Sequence, residues 1–325
     1  MSARKVIIDC DPGIDDALAL VFAHGHPDLE ICGITTVAGN VDLGKTTANA
    51  LRVRDYLGMR DVPVVAGSPG PLLRPALDAR HVHGSSGLGA ASIPASSSGP
   101  ADGHAVDYLG AAIGAEPGQV TLIAIGPLTN IALAVRRYPR LVTQVRDLVI
   151  MGGSACRGNV TPAAEFNIAA DPEAAAIVFG AGWTVTMVGL DVTLQATLSE
   201  AEFALLAEGR TAAARFLAAP MTFYRAIGGG LNDPGESPCH DLLAMMAAAD
   251  ESMVGSQVLP LQVDTGGSAA WGATVADFRV PALARRGLTP PGVKGAPWRI
   301  ALDVDVDRFR SNVRRLFGDP VDLPD

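Results

Sequence analysis

The sequence predicts an α/β protein: a doubly wound, mostly parallel sheet with helices packed on both faces. Three observations carry that reading. Short β-branched runs alternate with longer Ala/Leu-rich stretches along most of the chain, the pattern of strands joined by crossover helices. At 325 residues and 48% hydrophobic composition, the chain can bury one large core. The unusual polar and glycine residues fall where the strand-like runs end, and open α/β sheets bind ligands beyond the carboxyl ends of their strands.

Taken in order, VIID (6–9) precedes DALALVFAHG, ICGITTV (31–37) precedes TTANALRVRDYLG, and VPVVAG follows at 62–67. QVTLIAIG (119–126) leads into LTNIALAVRRY, after which come DLVIMGG (147–153) and TVTMVGLD (184–191). HDLLAMMAAA (240–249) reads as a helix, and WRIALDVD with DRFRSNVRRLF forms the last strand and helix. Residues 67–104, rich in Gly, Ser, Pro and His, are long enough for a functional loop, and 228–238, GGGLNDPGESP, resemble a glycine-rich hinge. Because α/β patterning resumes after each, residues 1–325 form a single domain whose segments near 67–104 and 223–238 are expected to be flexible and to close over a ligand.

A formal charge of −9 argues against nucleic acid or an anionic membrane surface as partner. Cys10, Cys32, Cys156 and Cys239 show neither CxxC spacing nor disulfide-scaffold density, which implies a reducing compartment and no structural zinc. The opening MSARK is followed by too few apolar residues for a signal-peptide core, and no uncharged apolar run reaches membrane length, so a cytoplasmic protein is expected.

The polar residues at strand ends are Asp9 and Asp11, Asn40, Gly126, Gly152 and Gly153, and Asp191. In a strand, Asp9 and Asp11 face one side while Cys10 points away; Pro12 and Gly13 then turn the chain, and a helix begins near Ile14 with Asp15 and Asp16 in its first turn. Helix-dipole complementation accounts for one such aspartate, but not for four that repel one another, whereas a hard cation taking oxygen ligands does. The spacing is not an EF-hand, whose twelfth position needs Glu where this chain has Leu20, and it lacks the Thr that follows DxD in aspartate-nucleophile phosphatases. Residues 39–46, GNVDLGKT, satisfy the Walker A pattern, although Asn-Val-Asp-Leu lacks the glycines that wrap a phosphate. The plainer alternative is that Asp42 caps a helix and Lys45 is a solvated first-turn side chain.

DCDPGIDDALAL resembles the signature of the inosine-uridine-preferring nucleoside hydrolase family, and ITTVAGN, HVHGSSGLG, GPLTNIALA, MGGSACRGNVTPAAEFNIAADPEAA, TMVGLD, HD at 240–241 and TVADFR follow in order. The resemblance spans nearly the whole chain. It implies a Rossmann-like core and Ca²⁺-dependent cleavage of the N-glycosidic bond of ribonucleosides to ribose and free base, a salvage reaction run by a homodimer or homotetramer. It also implies that Asp11, Asp16, Asp241 and the main-chain carbonyl of Ile125 hold the calcium, with Asp11 taking the proton of the attacking water. Ribose hydroxyls would fall to Asp15, Asn40, Asn159, Glu165 and Asn167, leaving-group protonation to His240, and a nucleobase-side position to His83, with Asp9 orienting its neighbours from behind. His81, Phe223, Tyr224 and Trp271 are possible base contacts, while His24, His26 and His104 read as structural or solvated. Where well-known relatives place stacking aromatics, this chain has Gly228 to Gly230, so base preference stays open. Two other readings compete: a nucleoside-binding protein without turnover, and a P-loop nucleotidase using Lys45.

Overall fold

The computed structural model describes residues 3–183, 185–227 and 237–318. Its strands are β1 (Arg4–Cys10), β2 (Leu29–Thr36), β3 (Val64–Ala66), β4 (Val120–Ala124), β5 (Asp147–Met151), β6 (Val185–Val188), β7 (Val254–Val263), β8 (Thr274–Ala276) and β9 (Ala296–Val304). They form one sheet in the order β3-β2-β1-β4-β5-β6-β9-β7-β8. Pairings from β3 through β9 are parallel, and β7 is antiparallel to both β9 and β8. Every run assigned to a strand from sequence is one, and the mostly parallel sheet flanked by helices is the observed architecture.

The alternation did not reveal β7 and β8. β7 carries Pro260 in its interior, a residue that argues against a strand, and it sits opposite Pro297 of β9. Two prolines facing each other share the loss of donors at one register position, so the ladder continues on either side.

The sheet separates two apolar layers. From β1, Val6, Ile8 and Cys10 face the layer that includes the helices Ile14–Gly25 and His240–Ala249, while Ile7 faces the layer of Ala105–Ala115 and Thr129–Arg137. The His240–Ala249 helix is buried from His240 to Ala248, which is why HDLLAMMAAA is apolar on every face. The chain leaves β1 for β2 on one side and later adds β4 on the other. That reversal of strand order opens a crevice beyond the carboxyl ends of β1 and β4.

Of the two segments expected to be flexible, 67–104 forms a short helix at Arg80–His83 and is tied to the crevice, where Ala79 N–H donates to the Asn40 carbonyl at 3.0 Å. Residues 228–236 of the second lie outside the described residues. Cys10, Cys32, Cys156 and Cys239 are unpaired, and among the described residues no helix is long and apolar enough to cross a membrane.

Candidate active site

β1 ends at Cys10, so Asp9 is still in the ladder while Asp11 lies beyond it. The two side chains therefore do not share partners, although the alternation of a strand would have put them on one side. Asp9 accepts from Thr35 Oγ1 at 2.5 Å and Asn130 Nδ2 at 2.8 Å, and its Oδ2 is buried without a partner. Burial pushes its carboxyl up to about 7 against those two hydrogen bonds. Asp11 turns instead toward β2, where its Oδ2 accepts the Asn40 backbone N–H at 2.6 Å. Its Oδ1 is buried with no hydrogen-bond partner.

The Ile14–Gly25 helix begins where expected, with Asp15 and Asp16 in its first turn. Asp16 Oδ2 accepts from Gly13 N–H at 2.8 Å and Asn40 Nδ2 at 3.1 Å, and its Oδ1 accepts from Asp11 N–H at 3.2 Å. Asp241 enters from the first turn of the His240–Ala249 helix. Oxygens of Asp15, Asp16 and Asp241 lie within 4.8 Å of one another, all three side chains buried, an arrangement able to hold a metal ion. The geometry thus puts Asp15, assigned from resemblance to the ribose, in the tight triad, with Asp11 bonded to it through Asp16. Burial is the main cause that raises all four carboxyls, and mutual repulsion adds to it for Asp11, Asp16 and Asp241: Asp15 to about 6, Asp16 to about 7, Asp11 and Asp241 well above the ordinary range. Orphaned Asp11 Oδ1 and three converging carboxylates fit a divalent cation, whose charge would remove the penalty.

Close approach by glycine makes this packing possible. A Cβ on Gly39 would lie 2.1 Å from Asp11 Oδ2, and one on Gly126 would lie 2.6 Å from Asp11 Oδ1. These glycines belong to AGN after β2 and IGP after β4, so the strand-end motifs keep the backbone clear of Asp11.

A cavity of about 300 Å³ opens over the carboxylates, lined among others by Asp15, Asn40, Ile125, Asn159, Glu165, Asn167, His81, His83, Tyr224, His240 and Asp241. Its floor is built from side chains already engaged. Asn40 Nδ2 donates to Asp16 and to the Asp11 carbonyl, which makes Asn40 a clamp on the aspartates as much as a ligand contact. Asn167 Nδ2 donates to the carbonyls of Ile125 and Met151, both at 3.1 Å. Glu165 caps the Phe166–Ala170 helix, accepting from Asn167 and Ile168 N–H, and also accepts from Gly153 N–H. Burial nonetheless raises its carboxyl to about 7. Asn159 Oδ1 accepts from Phe166 N–H at 2.9 Å.

The two histidines differ in attachment. His83 Nδ1 accepts from Ile14 N–H at 3.1 Å, its Nε2 is 3.9 Å from Asp15 Oδ1, and its ring stacks on Tyr224 with centroids 5.9 Å apart. His240 Nδ1 lies 2.8 Å from Thr193 Oγ1. Burial lowers His83 to about 3 and His240 to about 4, so both rings are neutral near pH 7. His81 lines the cavity and is exposed.

Two of the possible base contacts lie outside the cavity lining. Phe223 is not among the cavity-lining residues; it packs against the core and close to Gly89. Trp271 is likewise absent from the lining and sits under the Arg74 guanidinium, 4.9 Å away, while Arg74 pairs with Glu173. The Walker-like stretch takes the plainer of its two readings: Asp42 caps the Leu43–Tyr56 helix and pairs with Lys45 at 3.0 Å, both side chains exposed. The sequence reading also missed Thr193, Asn130 and the cavity-lining Arg157. Asn130 sits in GPLTN, where a polar residue between apolar neighbours on a buried helix was the available signal.

A family model described as inosine-uridine preferring nucleoside hydrolase matches residues 6–311. The chain is 43% identical over 280 residues to the inosine-uridine preferring nucleoside hydrolase of Crithidia fasciculata, covering 86% of this chain and 89% of that one. Among solved structures it resembles a plant nucleoside hydrolase with TM-score 0.90 and 34% identity, over 98% of this chain and 99% of the other. It also resembles a purine-preferring ribonucleoside hydrolase from Gardnerella vaginalis with TM-score 0.87 and 34% identity, over 97% and 98% of the two chains.

A direct test of the cation site follows from the carboxyl shifts. Asp16 binds its proton up to about 7 in the fold against an ordinary value of 3.8, so the cost of ionising it is absent below about 4 and complete above about 7. The ion-free protein should lose stability across that window. A divalent cation that binds the ionised form, tested with added calcium, should raise Tm more at pH 8 than at pH 5, with about 2.7 kcal/mol gained at a hundredfold excess over Kd. Equal gains at both values, or none, would count against the site. Gly39→Ala should shrink the calcium-dependent gain at pH 8, because its methyl group displaces Asp11.

Proposed function

Because this chain belongs to the inosine-uridine preferring nucleoside hydrolase family, we propose that it hydrolyses the N-glycosidic bond of ribonucleosides, releasing ribose and free nucleobase, with Ca²⁺ as its cofactor. The observation that carries the proposal is the nest of buried carboxylates under a small-molecule cavity, joined from below by Asp11, whose N–H donates to Asp16 and whose Oδ1 has no partner among the described residues. Asp11, Asp16 and Asp241 would hold the ion together with the Ile125 carbonyl, and Asp15 is close enough to contribute. When bound, calcium would acidify a water and orient it.

The chain's own residues supply the rest. Asp11 accepts a proton from the attacking water through the oxygen that has no other partner. Asn40 keeps Asp11 and Asp16 in register by donating to both. As the C1′–N bond lengthens, positive charge grows on the ribose, and the surrounding carboxylates stabilise that state more than the neutral substrate. Asp15, Asn159, Glu165 and Asn167 present polar atoms to ribose hydroxyls, and the bonds that Glu165 and Asn167 already make hold them rigid. His240, on the cavity wall, faces the departing base.

Asp11→Asn should lower kcat on every nucleoside by roughly a thousandfold or more while the far-UV spectrum and Tm stay near wild type; a removed general base alone accounts for about 10²–10⁴. Unchanged turnover would overturn the mechanism. A reducing-sugar assay across inosine, adenosine, guanosine, uridine and cytidine should lose all signal in chelator and regain it with added calcium. Release that persists in chelator would exclude the metal, and no release from any nucleoside would favour a binding protein. Lys45→Ala should leave turnover within about twofold, since the Lys45 side chain is exposed and pairs with exposed Asp42.

A further inference from the structure

We propose that Thr193 is a positioning residue that fixes the tautomer of His240, donating its hydroxyl proton to Nδ1 so that the ring presents Nε2–H to the leaving base. This rests on the hydrolase reading above and assigns a role to a residue outside it.

Thr193 ends the short Leu190–Thr193 helix that follows β6, and its side chain is fully buried. Its Oγ1 and His240 Nδ1 are 2.8 Å apart, joining two segments separated by 47 positions. Either atom could donate in principle, and the surroundings decide between them. Among the described residues Thr193 Oγ1 makes no hydrogen bond other than this one. Helical threonines commonly send the hydroxyl back to the carbonyl four residues earlier, as Thr222 does to Ala218 at 2.7 Å, but Thr193 does not. If Nδ1 carried the proton, the Thr193 hydroxyl hydrogen would be buried with no acceptor, and an unmet buried donor is costly. If Thr193 donates, that hydrogen is satisfied and only a lone pair goes unused. The second arrangement leaves Nδ1 unprotonated, so the neutral ring has its proton on Nε2.

His240 lines the cavity, and with Nδ1 tied back to Thr193 the opposite nitrogen is the one available to a ligand. As the C1′–N bond breaks, its electron pair passes to the base nitrogen, and Nε2–H donates a hydrogen bond to that nitrogen. The hydroxyl of the consumed water stays on C1′, and its proton, taken first by Asp11, ends on the base. His240 therefore neither gains nor loses a proton over the cycle. Its contribution depends on which nitrogen bears hydrogen, and Thr193 sets that choice.

The test compares wild type, Thr193→Val and Thr193→Ser on inosine, uridine and p-nitrophenyl riboside, all loaded with calcium, alongside ¹⁵N–¹H correlation spectra of the histidine rings with His240 assigned from His240→Gln. Valine keeps the shape and removes the hydroxyl. Thr193→Val should lower kcat on inosine and uridine roughly tenfold with KM little changed, about the worth of one hydrogen bond to the leaving nitrogen. Turnover of p-nitrophenyl riboside, whose leaving group needs no donor, should stay within about twofold, and Thr193→Ser should recover most of the loss. Spectra of the wild type should show an unprotonated Nδ1 and a protonated Nε2. Equal losses on all substrates, no loss, failure of serine to rescue, or a proton on Nδ1 would each overturn the assignment. A wild type that cleaves no nucleoside would overturn the hydrolase reading instead, and the spectra would still decide the tautomer.

Discussion

Everything in this site is organised around one cost: carboxylates held out of water beside one another. Asp9, Asp11, Asp15, Asp16, Asp241 and Glu165 are all buried within one end of the sheet. Ionised together in a dry pocket they repel one another, and burial favours their neutral forms. Protein groups offset part of this. Asp15 and Asp16 occupy the first turn of one helix, Asp241 the first turn of another, and Glu165 caps a third, so three helix N-termini bring partial positive charge and free N–H groups to the same place. The remainder is what a divalent cation and a cationic transition state would remove.

That constraint reaches outward through hydrogen bonds. Asn40 serves Asp11 and Asp16, and its own carbonyl holds Ala79 at the start of the cavity wall. Asn130 serves Asp9, the Thr36 carbonyl and Ser68 N–H, tying the next helix to β1 and to the entrance of the same loop. Asn49 donates to the carbonyls of Pro12 and Ser86, joining the aspartate turn to the segment that carries His83. Three asparagines thus hold the loops in place relative to the acids, which is why the floor of the cavity and its walls form one connected network.

How much of this was legible depended on how local each signal is. Strands β1 to β6 and β9 and the helix starting at Ile14 were readable because a strand's apolar run and a turn such as DPG are written in adjacent residues. The roles of Gly39 and Gly126 were not, because each is defined by a carboxylate from another strand. β7 stayed hidden behind Pro260, whose compatibility depends on Pro297 across the ladder. Phe223 and Trp271 were misassigned for the same reason: an aromatic's sequence neighbourhood does not say whether it faces a ligand, a glycine turn or an arginine. Thr193 lay two residues beyond TMVGLD, the motif noted for Asp191. Asp191 itself orders the next loop by accepting from Ser154 Oγ and Ala155 N–H, and only the fold reveals that the threonine two residues on meets His240.

The division between floor and walls also bears on the choice of nucleobase. Similar frameworks carry the descriptions inosine-uridine preferring and purine-preferring, so base preference varies where the architecture does not. The floor cannot vary freely, since removing a carboxylate leaves buried N–H donors without an acceptor, removing Asn40 leaves Asp11 and Asp16 without a donor, and a side chain at Gly39 or Gly126 would collide with Asp11. The walls are under weaker constraint. Residues 77–82 and 157–160 are largely exposed or half-buried and reach the cavity from loops, and Arg157 at the rim makes no side-chain hydrogen bond or ion pair among the described residues. Substitutions there would change the cavity wall while leaving the buried acids paired as before. The electrostatic cost of the floor thus leaves the loops above it as the part of the cavity that is free to vary.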